Sequence, residues 1–122
     1  MASEITLNFG LRVVKGFLSH VIAPFSKKVN LAGTRLVANV QAIGFAAHEA
    51  LVVGDLSTAG YIYAINTDAT NFVQIGVDVS ATFYPIAKLL PGQAMLFPAA
   101  VLTLYAKADT GAVNLQYVFL ER

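Results

Sequence analysis

Apolar residues in this chain recur at every second position, in short runs cut by turn residues. The clearest case is residues 51–78. Tyr61, Tyr63 and Ile65 alternate with Ile62, Ala64 and Asn66; beyond the polar turn Asn66-Thr67-Asp68-Ala69-Thr70-Asn71, Val73, Ile75 and Val77 alternate with Phe72, Gln74, Gly76 and Asp78. A pleated strand imposes that period, because successive side chains point to opposite faces. The two runs are read as the strands of a β-hairpin, with the rest of the chain organised around it.

Upstream, residues 4–14 set Ile5, Leu7, Phe9, Leu11 and Val13 against Thr6, Asn8, Gly10 and Arg12, a half-buried strand. Residues 15–31 lose the alternation. Phe17, Leu18, Val21, Ile22 and Phe25 would fall on one helical stripe, but Gly16, Ser19 and Pro24 are poor helix formers, so the segment is expected to be irregular. It either closes one end of the fold or forms an arm that reaches onto a neighbour. Lys27 and Lys28, just after it, read as a solvated turn.

In residues 34–43 the small apolar side chains Leu36, Ala38, Val40 and Ala42 are expected to face inward, and Ala46–Val53 to form a further strand. Pro85 lacks the amide hydrogen that a central ladder needs, which puts the strand at 83–90 at an edge or bulge. Leu90-Pro91-Gly92-Gln93 is a turn in which proline presets φ at the second position and glycine supplies the positive φ of a type II third position. Residues 94–97, 101–108 and 113–121 complete the strands, and the chain ends at Glu121-Arg122. About eight short strands, punctuated by Gly, Pro, Asn and Asp, indicate an all-β, antiparallel, jelly-roll-like sandwich. Residues 1–33 are read as an N-terminal strand and irregular apolar arm, and 34–122 as the β-sandwich body of a single domain.

Polarity narrows the function. Hydrophobic residues make up 57% of the 122 positions and charged residues 12%, against about 25% charged in ordinary globular chains. So short a chain has too little interior for that many apolar side chains, and some are expected in contacts with other subunits. A membrane helix is not the outlet: the long charge-free run 89–106 is broken by Pro91, Gly92, Gln93 and Pro98. Residues 1–33 show no apolar segment followed by a small-residue cleavage site, so no signal peptide is expected. The absence of cysteine removes disulfides, thiolate metal sites and cysteine nucleophiles. A net charge of +1 without a basic cluster argues against nucleic acid as a partner.

Catalytic patterns are also missing. His20 and His48 stand apart, and the adjacent His48 and Glu49 would point to opposite faces of a strand, so they cannot share one ion. No metal or other cofactor is expected. The acidic residues are scattered, and Asp55, Asp68 and Asp109 sit in turns, where an aspartate bonds the backbone two residues on. There is no G-x-S-x-G and no phosphate-cradling glycine loop, so the chain is not expected to be an enzyme. Aromatic residues at strand spacing read as core and cross-strand pairs, without the tryptophan that strengthens a sugar-stacking platform.

Four stretches carry a resemblance: Gly54-Asp55-Leu56-Ser57-Thr58-Ala59-Gly60-Tyr61; Asn66-Thr67-Asp68-Ala69-Thr70-Asn71-Phe72-Val73-Gln74-Ile75-Gly76-Val77; Phe83-Tyr84-Pro85 with Lys88-Leu89-Leu90-Pro91-Gly92; and Leu104-Tyr105-Ala106-Lys107-Ala108. Over residues 51–121 the chain resembles small virion structural proteins of tailed bacteriophages. The resemblance implies a jelly-roll sandwich that trimerises and binds the outer head surface as a cement or decoration protein. The implied partners are the major capsid protein and two further copies of the chain, and the implied location is the virion surface. Within the arm, Phe17, Leu18, Val21, Ile22, Phe25, Lys27 and Lys28 are the expected contact residues. The alternative is a tail- or fibre-associated module that binds a host surface glycan through tyrosines and turn carboxylates.

Overall fold

The computed structural model describes residues 5–30 and 33–121; the expected strand start at Glu4, the segment end at Leu31 and the chain end at Arg122 lie outside them. The described residues form ten strands, all paired antiparallel, and no helix. They divide into two compact units, Met1–Ala32 and Gly33–Arg122.

The first unit is a hairpin. Strands β1 (Ile5–Lys15) and β2 (Leu18–Val29) pair from Ile5↔Val29 to Lys15↔Leu18. The loop between them is Gly16-Phe17, with Gly16 at φ +57°, the positive φ that a type II′ hairpin turn requires at its first loop position. The segment expected to be irregular is therefore a strand, and the glycine that spoke against a helix is its turn. Its alternation is hidden by a bulge: Phe9 pairs with Phe25 and Leu11 with Ile22, so Ala23 and Pro24 together oppose Gly10. The extra residue shifts the phase of β2 midway and gives Pro24 a place outside the regular ladder.

The second unit holds β3 (Leu36–Ile43), β4 (Glu49–Ala50), β5 (Tyr61–Asn66), β6 (Val73–Val79), β7 (Thr82–Leu89), β8 (Ala94–Pro98), β9 (Tyr105–Ala108) and β10 (Val113–Leu120). They form two four-stranded sheets, β3-β10-β5-β8 and β4-β9-β6-β7. The unit is an antiparallel β-sandwich. Its pairing is nested: β3 with β10, β4 with β9, β5 with β8, and the hairpin β6-β7 in the middle. The core between the sheets is filled by Ile62 and Ala64 of β5, Val73 and Ile75 of β6, Ala106 and Ala108 of β9, and Val113, Leu115, Tyr117 and Phe119 of β10, all buried.

Three expectations are corrected here. Residues 51–78 are not a hairpin, because β5 and β6 lie in different sheets. The turn that was expected to reverse the chain carries it across the sandwich instead. Asn66, fully buried, receives the Asp68 amide on Oδ1 and donates from Nδ2 to the carbonyls of Asn71 and Leu89, while Asp68 Oδ2 accepts from the amides of Thr70 and Asn71. The inward face of β3 is also the opposite of the one expected: Val37, Asn39, Gln41 and Ile43 share the face of the buried Phe119, Tyr117, Leu115 and Val113, and Leu36, Ala38, Val40 and Ala42 point outward. Inward polarity is tolerated because it is bonded. Tyr117 Oη accepts from Asn39 Nδ2 and lies 3.0 Å from Gln41 Oε1 and 2.7 Å from the Val52 carbonyl, while Gln41 Nε2 donates to Glu49 Oε1 and the Ala50 carbonyl. Finally, the strands expected at Ala46–Val53 and 101–108 shrink to Glu49–Ala50 and Tyr105–Ala108, joined by a bond from the Leu51 amide to the Leu104 carbonyl.

Two readings hold. Pro85 lies on the edge strand β7 at a register shift, opposite Gly76. The Leu90–Gln93 turn closes with the Gln93 amide donating to the Leu90 carbonyl at 2.9 Å, with Gly92 at φ +81°.

Candidate interaction surfaces

The β1-β2 hairpin is amphipathic. Directly paired residues of an antiparallel ladder share a face, so Phe9 and Phe25, Leu11 and Ile22, Val13 and His20, and Lys15 and Leu18 line one side, whereas Thr6 and Lys28, Asn8 and Ser26, Arg12 and Val21, and Val14 and Ser19 line the other. Phe9 and Phe25 stack with ring centroids 5.3 Å apart, and on the polar side Ser26 Oγ donates to Asn8 Oδ1 at 2.6 Å.

All seven arm residues singled out in the sequence fall on this hairpin and are exposed, but they do not form one patch. Leu18, Ile22, Phe25 and Lys27 belong to the apolar face, Val21 and Lys28 to the opposite one, and Phe17 stands at the tip. Leu11, Ile22 and Phe25 retain 53%, 46% and 54% of their accessible surface. An isolated two-stranded hairpin is at best marginally stable in water. This one carries a greasy stripe that a further layer would cover.

The two outer faces of the sandwich differ in kind. Across the β4-β9-β6-β7 sheet, one row runs Lys107, Gln74, Lys88, and the next positions outward are Tyr105, Gly76 and Pro85, then Asp78 and Phe83. That face is mixed and charged. Lys88 Nζ sits 4.1 Å above the Phe72 ring, a cation–π contact. Across the β3-β10-β5-β8 sheet the corresponding rows are Ala38, Val118, Tyr63, Leu96 and Val40, Gln116, Ile65, Ala94. None of these eight positions is charged. A shallow cavity of about 310 Å³ opens between β3 and β10, lined by Ala38, Val40, Gln116 and Val118.

A polar cluster lies on the charged outer face. His48 precedes β4 and reaches over the sheet, its ring stacked on Phe83 at 5.2 Å and edge-on to Tyr105 at 5.5 Å. Its Nε2 is 2.5 Å from Asp78 Oδ2, while Asp78 Oδ1 accepts from the Ala81 amide. The hydrogen bond from His48, followed by that from Ala81, holds the Asp78 carboxyl below its usual range against the opposing effect of burial. A neighbouring cavity of about 540 Å³ is lined by Val77, Asp78, Val101, Leu102, Thr103 and Tyr105. Both carboxylate oxygens of Asp78 have partners, and through them it clamps the loop before β4 and the β6-β7 turn to β6. Among the described residues no three His, Cys, Asp or Glu side chains are placed to hold a metal ion.

The His48–Asp78 pair was invisible in the sequence, since thirty positions separate residues that only the register of β6 brings together. The uncharged outer face did leave a signal. Residues 61–65 are apolar at both parities, and in an antiparallel sheet with one face in water only one parity should be. Comparison of the chain with protein-family models, curated proteins and solved structures returned no match.

Proposed function

We propose that this chain is a structural protein of a tailed-bacteriophage virion, a cement or decoration protein that assembles as a trimer on the outer head surface and stabilises the shell. The observation that carries the reading is the amphipathic β1-β2 hairpin, a compact unit of its own whose apolar face leaves Leu11, Leu18, Ile22 and Phe25 exposed in the single chain. Such a stripe suits an arm laid onto another protein, here the major capsid protein, with Lys27 and Lys28 at its far end available to acidic groups. The nested strand pairing supports a jelly roll as the body, a sandwich in which two wound Greek keys leave a rigid block for the arm to anchor.

Copy counting in virions purified from lysates of the source strain tests this. Hundreds of copies per particle are expected; a dozen or fewer would place the protein at the tail and overturn the reading. Full-length Phe25→Glu and Ile22→Glu chains are expected to lose binding to shells stripped of the protein while keeping the circular dichroism of the parent. Undiminished binding would remove the arm from the mechanism.

A further inference from the structure

We infer that the outer face of the β3-β10-β5-β8 sheet is the surface through which copies of this chain associate with one another. This deepens the trimer in the reading above by naming the surface that builds it.

The sandwich already buries the inner face of this sheet, where Ile62, Leu115 and Phe119 are closed off from water. A solvated second face should then carry charged side chains, as the outer face of the other sheet does with Lys107, Lys88 and Asp78. Instead the central row reads Ala38, Val118, Tyr63, Leu96 straight across the four strands, and Leu36 and Val40 on the edge strand keep 60% and 58% of their surface exposed. A sheet that is apolar on both sides is one that is covered on both sides.

Charge and size select the occupant. A partner of different sequence is usually met through a surface as polar as the rest of the protein, whereas permanent contacts between identical chains resemble a domain core cut in half. This face is of the second kind. Its charges are confined to the margin, where Arg35, just before β3, is already bonded to the Asp55 carbonyl and faces Glu121. Around a threefold axis each face meets a different part of the next copy, and an uncharged face brings no charge that the neighbour would have to match. Strands about 4.8 Å apart and alternate residues about 6.8 Å apart give the four-stranded sheet a face of roughly 20 by 25 Å. That is on the order of 500 Å² per copy before side-chain relief, so two copies reach the roughly 1,000 Å² a specific interface needs.

The test uses the full chain. Sedimentation velocity of the parent is expected to show an oligomer, and Val40→Lys or Leu36→Glu, both on exposed edge positions, to shift it to monomer with unchanged circular dichroism and urea midpoint. Gln74→Glu, on the charged face, is expected to leave the oligomer intact. Because the chain contains no cysteine, Ala38→Cys gives a second readout that does not depend on a disruptive substitution. Its thiol is expected to react with a bulky maleimide at least tenfold more slowly in the oligomer than after dilution to monomer. A monomeric parent at high concentration, an oligomer indifferent to Val40→Lys and Leu36→Glu, or an Ala38→Cys thiol equally reactive in both states would each overturn the inference. A well-formed oligomer that fails to bind shells would instead count against the virion role and leave this surface standing.

Discussion

The side-chain amide of Asn66, at the end of β5, donates to the carbonyl of Leu89, at the end of β7, at 2.9 Å, and so ties one sheet of the sandwich to the other. Asn66 is fully buried and each of its polar groups has a partner: its amide donates to the Gln93 carbonyl, its carbonyl accepts from the Gly92 amide, and its side chain bonds Asp68, Asn71 and Leu89. Asn66→Ala would leave the Leu89 carbonyl and the Asp68 amide without these partners. It is expected to destabilise the protein by about 2–3 kcal/mol, read from the urea midpoint at constant m.

The β6-β7 hairpin turns on Ser80 and Ala81, both with positive φ, +53° and +67°. That is the geometry of a type I′ turn, which Asn-Gly fits and Ser-Ala does not. Replacing the pair by Asn-Gly is expected to raise stability by about 1–2 kcal/mol, since left-handed backbone costs an L residue roughly that much. A drop in the thermal midpoint would show the turn to be built differently.

Gly76 is the one position in β6 where a side chain cannot exist. A Cβ there would meet the Tyr84 carbonyl oxygen at 2.0 Å and Pro85 Cα at 2.7 Å, both backbone atoms of the adjacent β7. The register shift beside it holds the two strands at that distance. Gly76→Ala is expected to cost about 3 kcal/mol or more and to reduce soluble yield. An unaltered urea midpoint would contradict the close approach.

Three carboxylates set the acid limit of stability. The Ser57 amide and hydroxyl, with Arg35 beyond them, lower the pKa of Glu121; the amides of Asn71 and Thr70 lower that of Asp68; His48 and Ala81 lower that of Asp78. Each is depressed in the folded chain, so protons bind the unfolded state more readily, and the stabilisation is complete above the ordinary values of about 3.9 for Asp and 4.3 for Glu. It is lost as pH falls through the lower folded-state values. The urea midpoint is therefore expected to be level from pH 7 down to about pH 5 and to decline below about pH 4. The triple variant Asp68→Asn, Asp78→Asn, Glu121→Gln is expected to start lower at pH 7 and decline less steeply.

Period-two alternation was enough to announce β10, where Val113, Leu115, Tyr117 and Phe119 all turn inward, and Pro91-Gly92 was enough to announce the turn between β7 and β8. Local sterics decide such features, so they are written locally. The same alternation misled for β3, where the uniformly apolar parity faces out and the mixed one, with Asn39 and Gln41, faces in; Tyr117, 78 positions from Asn39, supplies the buried partner that makes this possible. It failed again for residues 15–31, where one bulge at Gly10 put the strand out of phase with itself.

What the sequence determined alone was the strand class, the turn positions and a surplus of apolar side chains. Only the tertiary structure decided where that surplus goes. Facing and pairing depend on residues far apart in the chain. The consecutive strands β5 and β6, separated by an apparent hairpin turn, lie in opposite sheets because β5 pairs with β8 and β10 and β6 with β7 and β9. The Asn66 bond to Leu89, 23 positions on, joins the two sheets.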